Sequence, residues 1–339
     1  MNYFIKHIDT DGHASAAIAY HLGYRDSKAE VISYNYSDTS VITELDLMSS
    51  DFVILTDVSF TEKTKHALDY IIEKVGINNV IWIDHHQSSI DLIDKYPEYK
   101  KIKGIRNKEF CGTYLTWLYF NQTLLFSNIP LYIKLINDHD LWIHNYTDTE
   151  SFIYGLSINE DIKNPLSALW RSIINDPDIY TERCIEAGKY IKKYINSENK
   201  KLRDNLLFRG EMKIYDMGKD STTTLTYAAM NTLNNSSVFG DVYNEVDVVI
   251  PFTYCNGEYK YSLFSHRKDL QLHKIAEAYG GGGHPSACGF RSKDFMLNSN
   301  ICDIYINDDI INTNTISTKC WFIELEFIYD DKTIITHIN

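Results

Sequence analysis

Continuous apolar runs alternate with helix-like segments through residues 2–86, and that alternation leaves few folds open to the chain. NYFIKHID (2–9), AEVISYNY (29–36), DFVILTDV (51–58) and NNVIWIDHH (78–86) read as strands. Between them lie GHASAAIAYHLGY (12–24), rich in small residues, and TEKTKHALDYIIEKVG (61–76), whose apolar residues recur with the helical period and stop at Gly76. Strands that are apolar at successive residues, rather than at every second one, are buried on both faces. The expected fold class is therefore α/β, with a parallel sheet built from βαβ units.

The ends of these runs share one chemistry. The first ends in His7-Ile8-Asp9-Thr10-Asp11-Gly12, the third in Thr56-Asp57-Val58-Ser59 and the fourth in Asp84-His85-His86. Parallel open sheets bind ligands outside the carboxyl ends of their strands, so the three segments would meet on one rim. A further segment, Asn137-Asp138-His139-Asp140-Leu141-Trp142, follows a helix-like stretch and could close it. Carboxylates with imidazoles and no thiolate suit Mn²⁺, Mg²⁺, Fe²⁺, Co²⁺ or Zn²⁺. If H-x-D-x-D stays extended, His7, Asp9 and Asp11 fall on one side of it. So many carboxylates would repel one another without cations. Two divalent ions ~3.5–4 Å apart would neutralise them and activate a water for in-line attack on phosphorus.

Bulk properties bound the alternatives. With 339 residues, two domains are the natural division. The 46 acidic and 33 basic residues give a formal charge of −13, the wrong sign for gripping long duplex nucleic acid. Small anionic substrates remain open where bound cations reverse the local field. The six cysteines form no C-x-x-C pair, which disfavours a zinc ribbon and fits reduced thiols. No apolar run is long enough to span a bilayer, and the N-terminal apolar patch is too short for a signal peptide. The expectation is a cytoplasmic protein, without membrane partners, acting as a monomer or homodimer.

Residues 113–127 and 130–142 read as helices, with Pro130 suited to a first turn. A charged periodic stretch over 178–207 reads as a connecting helix. Beyond it MKIYDM, VDVVIPFTYC and YKYSLFSH read as strands, LHKIAEAYG as a helix, and two apolar runs past residue 320 as a terminal hairpin. The expected boundaries are a catalytic domain at 1–177, the connecting helix at 178–207, a smaller α/β domain at 208–300 and a strand-rich extension at 301–339. The run Gly280–Gly283 followed by His284 suits an anion site, because glycines let backbone N–H groups come close.

H-x-D-x-D-G, the Asp57 segment, Asp84-His85-His86 and N-D-x-D-L-W resemble the four motifs of the DHH phosphoesterase superfamily. KIAEAYGGGGHPSACGF (274–290) is similar to the glycine-rich signature of its DHHA1 domain. The tight H-x-D-x-D spacing resembles the nanoRNase B-like, oligoribonuclease branch. The resemblance runs from residue 1 to about 295. It implies a DHH domain and a DHHA1 domain with the active site in the cleft between them. His7, Asp9, Asp11, Asp57, His85 and Asp138 match the ligands of two metal ions, Mn²⁺ above all. Asp57 would bridge the ions, and Asp140 is the alternative to Asp138. His86 matches the histidine that faces the phosphate, and Asp84 would orient a ligating imidazole. Gly281, Gly282, Gly283 and His284 would hold the substrate. Arg267 would grip its terminal phosphate, although Phe264 stands where many members carry arginine. The implied activity is hydrolysis of short oligoribonucleotides or dinucleotides to 5′-mononucleotides. The alternatives are a cyclic-dinucleotide phosphodiesterase, a 3′-phosphoadenosine phosphate phosphatase, a single-strand exonuclease, a pyrophosphatase and a non-catalytic nucleotide sensor.

Other residues read as structural. Gly112-Thr113 is expected to cap a helix. His13, His21, His66, His139, His144 and His273 have no evident partners in the sequence, and Tyr254, Tyr259 and Tyr261 suit strand packing as well as base stacking.

Overall fold

A computed structural model describes residues 1–25, 27–36, 38–121, 129–216, 221–297, 301–306, 323–329 and 332–338. The chain forms two compact units, Met1–Tyr194 and Ile195–Asn339. It is an α/β protein.

The first unit is organised by four parallel strands: β1 (Asn2–Lys6), β2 (Ala29–Ser33), β3 (Phe52–Thr56) and β4 (Val80–Ile83), in the order β2-β1-β3-β4. The expected strands are all present, each shorter than its apolar run because the polar end residues leave the ladder. Two apolar layers cover the sheet. Tyr3, Ile5, Val53, Leu55, Val80 and Trp82 face one layer, packed with α2 (Ser40–Thr43), α3 (Lys65–Val75) and α4 (Gln87–Lys95) through Ile42, Leu68, Ile71 and Leu92. Phe4, Ile54, Ile81 and Ile83 face the other, against Ala19 and Leu115. Strict alternation between two buried faces is why these strands read as unbroken apolar runs. Gly76 ends α3 at φ +80, a left-handed position that glycine adopts without steric cost.

On that second face lie α1 (Thr10–Ile18) and α5 (Gly112–Asn121), followed by α6 (Leu131–Asp140), α7 (Thr149–Ser157) and α8 (Ala168–Asn175). Their own core includes Trp117, Tyr132, Phe152 and Trp170. Pro130 sits just before α6 with ψ 147, outside the helical turn where the sequence placed it. The expected helix over 113–127 is seen to Asn121, and residues 122–127 lie outside the described residues. Helix α9 (Pro177–Leu206) covers the stretch read as a connecting helix and runs from the first unit into the second.

The second unit is a mixed seven-stranded sheet, ordered β11-β5-β6-β7-β8-β10-β9. Its strands are β5 (Phe208–Asp216), β6 (Ser221–Asn231), β7 (Val248–Cys255), β8 (Glu258–Phe264), β9 (Gly282–His284), β10 (Ala287–Ser292) and β11 (Ile301–Ile306). Two short helices, α10 (Val242–Glu245) and α11 (His273–Ala278), accompany them. The sequence reading missed β6, whose first four residues are exposed and which becomes apolar only from Leu225 onward. β11, from the segment expected to form a separate extension, pairs in parallel with β5. The expected terminal hairpin is present as the antiparallel pair β12 (Ile323–Tyr329) and β13 (Lys332–Ile338). Among the described residues no helix is long and apolar enough to cross a membrane.

Candidate metal centre

The carboxyl ends of β1, β3 and β4 bring their acidic and imidazole side chains together. Past β1 the chain turns at once into α1. Asp9 caps that helix by accepting from Gly12 N at 2.9 Å, which leaves its second oxygen 2.7 Å from His7 Nδ1. A Cβ at Gly12 would lie 2.4 Å from His7 O, so the glycine of D-x-D-G is what lets the helix start this close to the strand end. Burial alone would raise the Asp9 pKa, but the hydrogen bonds from His7 and the Gly12 amide outweigh it and lower the value to about 2.

Asp11 is held by a helix terminus. Gly112 N and Thr113 N, at the start of α5, donate to its two oxygens at 2.7 Å each, and Thr113 Oγ1 donates to its carbonyl at 3.1 Å. The sequence reading of these residues as caps understated them: the α5 N-terminus binds a carboxylate from a different element, and its dipole favours that negative charge. The glycine is required by space, since a Cβ at Gly112 would lie 2.8 Å from both Asp11 Oδ2 and Asp57 Cβ. Gly112→Ala is therefore expected to destabilise the protein by about 1–3 kcal/mol. It should also weaken divalent-metal affinity about 10- to 100-fold. Calorimetric titration of Mn²⁺ checks this, and unchanged affinity would show that the Asp11 grip does not shape the centre.

Asp57 lies at the middle of the group. It adopts φ +57, a left-handed conformation uncommon for a non-glycine residue, while its N–H donates to Ile83 O at 2.9 Å and prolongs the β3–β4 ladder. Its carboxylate is 3.8 Å from His7 Nδ1, 3.3 Å from His85 Nε2 and 3.8 Å from His86 Nδ1. Neither oxygen accepts a hydrogen bond, although the residue is buried. Burial, then the charges of Asp11, Asp9, Asp84 and Asp140, push its pKa well above the carboxylate range. Asp140 Oδ2 is also buried without a hydrogen-bond donor, 3.5 Å from His85 Nε2. Burial, then the charges of Asp11 and Asp9, push Asp140 up to about 8 against a lowering by His86.

The preference for Asp138 over Asp140 is corrected by this geometry. Asp138 is buried, and its carboxylate accepts from Asn145 N (2.7 Å), Tyr146 N (3.4 Å) and Thr149 Oγ1 (2.5 Å), tying down the loop after α6. Asp140 is the member of the pair that enters the cluster. Residues two apart on a helix project about 200° from each other, so only one of them can face it.

Asp84 holds His86 rather than His85. It lies 2.8 Å from His86 Nδ1 and also accepts from Ser89 Oγ. Burial would lower the His86 pKa, but this hydrogen bond and the nearby carboxylates raise it. His85 moves the other way, lowered by burial, and stays a neutral donor. Of the three imidazoles His86 is the most open, with 34% side-chain exposure against 19% for His7 and 11% for His85.

Three sets of donor atoms lie close enough to hold an ion: His7, Asp9 and Asp57; Asp57, His85 and His86; and Asp11, His85 and Asp140. Buried carboxylate oxygens without donors, facing imidazole nitrogens, fit a hard divalent cation. Asp57 occurs in two of the sets, as a bridging ligand would.

Two residues beside this cluster escaped the sequence reading. Tyr36, just past β2, sets its ring 4.8 Å from that of His7 and 5.8 Å from that of His86, and its hydroxyl reaches the Asp57 carbonyl at 3.5 Å. The strand-end rule applied to β2 would have found it. Lys6 is buried at the end of β1, and Nζ donates to His13 Nδ1 at 2.6 Å. Burial lowers Lys6 to about 8, and burial followed by the lysine charge lowers His13 to about 4, so His13 accepts as a neutral ring. A lysine closing an apolar run was the available signal.

In the second unit three of the expected substrate residues, Arg267, Gly281 and Gly283, are engaged within the protein. Arg267 Nη1 is 2.6 Å from Asp247 and Nη2 is 2.8 Å from Asp269, so both ends of its fork carry carboxylates. Gly281 N donates to Ala276 O at 2.7 Å. A Cβ at Gly281 would lie 2.1 Å from Gly289 O, and one at Gly283 2.6 Å from Cys288 Cα. Packing of β9 on β10 thus accounts for these two glycines. Gly282 has open space around its Cα, and His284 beside it is exposed.

No protein-family model matches the chain. Uncharacterized protein R106 of Acanthamoeba polyphaga mimivirus is 24% identical over 249 residues, covering 72% of this chain and 54% of that protein. The chain thus spans about half the length of this curated relative. Among solved structures, the pGpG-specific phosphodiesterase PggH of Vibrio cholerae superposes with a TM-score of 0.52 at 12% identity, covering 86% of this chain and 93% of PggH. The fold is DHH-like. RecJ of Thermus thermophilus, solved with Mn²⁺, matches at a TM-score of 0.42 and 14% identity over 85% of this chain and 49% of its own.

Proposed function

We propose that the protein is a metal-dependent phosphodiesterase that cleaves short linear nucleotides, dinucleotides above all, to 5′-mononucleotides. The observation that carries the reading is three buried carboxylate oxygens, both of Asp57 and Oδ2 of the half-buried Asp140, which meet imidazoles and other carboxylates but accept no hydrogen bond. His7, Asp9, Asp11, Asp57, His85 and Asp140 would hold two divalent ions, Mn²⁺ first by donor type. Bound there, such ions supply a hydroxide-like nucleophile at neutral pH and neutralise charge on a phosphoryl group.

The chain's own groups divide the remaining work. The α5 N-terminus and the His7–Asp9 hydrogen bond fix two carboxylates before any ligand arrives, so little reorganisation is needed. His86, whose pKa is raised by its hydrogen bond to Asp84 and which is the most open of the three imidazoles, suits donation of a proton to the leaving oxygen. The dinucleotide preference is supported by the likeness in fold to PggH, whose substrate is pGpG. The charge of −13 favours short substrates over long strands.

The test is incubation of purified protein with pGpG, pApA, a cyclic dinucleotide, 3′-phosphoadenosine 5′-phosphate and pyrophosphate, each with Mn²⁺ or EDTA. Linear dinucleotides should be cleaved fastest, and only with the metal. Turnover that survives EDTA, or none with any divalent ion, would overturn the reading.

A further inference from the structure

The loop after α6 exposes an indole beside the metal centre in a way that packing does not explain. Trp142 is 60% exposed, and Ile143 and Tyr146 are exposed around it. Trp142 has φ +52 and His144 φ +59, two left-handed non-glycine residues within three positions. Such conformations are unfavourable for side chains with a Cβ and persist only where the surroundings over-determine them.

Asp138 does the over-determining. Its carboxylate takes three donors from residues 145–149, its carbonyl accepts from Ile143 N at 3.0 Å, and Trp142 N donates to His139 O at 3.2 Å. The indole is flanked by two imidazoles, His139 near parallel at 6.3 Å and His144 edge-on at 5.3 Å. A loop pinned this heavily has the means to bury its tryptophan and instead holds it outward.

Its location gives that exposure a use. Trp142 is two residues past Asp140, whose carboxylate stands 3.5 Å from His85, so the two Cα atoms are within about 7.6 Å. We propose that Trp142 is the platform on which a nucleobase of the substrate stacks while its phosphate lies at the Asp57–Asp140 cluster. Exposed aromatic rings bind bases through their π faces with little sequence preference, which suits an enzyme taking several dinucleotides. Asp138 then acts as a positioning residue: it sets the platform and touches neither phosphate nor metal. This inference rests on the proposed nucleotide phosphodiesterase activity.

The experiment compares wild type, Trp142→Ala and Trp142→Phe on two linear substrates with Mn²⁺: a dinucleotide, and the same diester with one base replaced by hydrogen. The preference of kcat/KM for the base-bearing substrate should fall about tenfold in Trp142→Ala and recover in large part in Trp142→Phe. An unaltered preference in Trp142→Ala, or a loss that Trp142→Phe does not restore, would overturn the platform. Binding is read separately, by quenching of tryptophan emission with GMP in EDTA. Quenching in wild type that disappears in Trp142→Phe supports the platform even if no diester is hydrolysed, an outcome that would sink only the proposed activity. Equal quenching in both proteins, or none in wild type, would overturn the stacking role.

Discussion

Asp57→Asn is expected to make the metal-free protein more stable while abolishing its activity. The side chain is buried at the meeting point of Asp9, Asp11, Asp84 and Asp140, with no hydrogen bond to either oxygen. Asparagine keeps the shape, removes the charge and tolerates the left-handed backbone better than alanine would. Relief of the buried, unpaired carboxylate is worth about 1–2 kcal/mol, which in a unit of this size raises Tm on the order of 5 °C. Loss of the ligand that two ions would share should cost several kcal/mol of transition-state stabilisation, lowering kcat/KM about a thousandfold or more. Calorimetry in EDTA at pH 8, beside dinucleotide hydrolysis with Mn²⁺, reads both effects. A variant less stable than wild type and still active would remove Asp57 from the centre.

Adding Mn²⁺ to chelator-treated protein is expected to release protons and to raise Tm, by about 5–10 °C at a hundred times Kd. The cause is the raised pKa values of Asp57 and Asp140, whose protons must leave when a cation binds. The sign of the pH dependence follows. A carboxyl group with a folded-state pKa above its unfolded value contributes stability at low pH, and that contribution is lost as pH rises toward the folded value. Asp140, at about 8, carries this loss through neutral pH, and Asp57 acts in the same direction. The raised His86 acts in the same direction. His13 and His85, both lowered, act the opposite way below about pH 6.5. Between about pH 6.5 and 8 the metal-free protein should therefore lose stability as pH rises, while Mn²⁺ affinity increases over the same interval. Titration calorimetry in buffers of different ionisation enthalpy counts the protons. No proton release, together with a flat stability profile in EDTA, would contradict a cation site built on these carboxylates.

The centre was legible where it depended on local pattern. The segments ending at Asp9, Asp57 and Asp84 are continuous apolar strands followed at once by polar residues, and the sheet delivers each end to one rim. Helical phase was the first thing the pattern left open. Asp138 and Asp140 are equally plausible in a string of letters, yet they project to opposite sides of α6. Asp84 illustrates a second gap: whether it supports His85 or His86 depends on where the chain turns into α4, and the turn gives it to His86. The glycine run of the second unit shows a third. An anion cradle and a tight strand pair both need small residues, and at Gly281 and Gly283 the nearest atoms are those of β10 and its neighbours.

The sequence alone determined the alternation of doubly buried strands with helices, the parallel sheet and the set of acidic and imidazole residues gathered at its edge. Those follow from side-chain periodicity and backbone propensity, which act between residues close in the chain. Only the tertiary structure decided that Asp140 enters the cluster, that the α5 amides hold Asp11 from a hundred residues away, that Tyr36 lies against two of the imidazoles, and that Asp138 holds Trp142 outward. Each of these depends on how side chains from separate turns, loops and elements meet once the chain has packed, and periodicity marks which face of an element is buried without saying which polar groups will meet there.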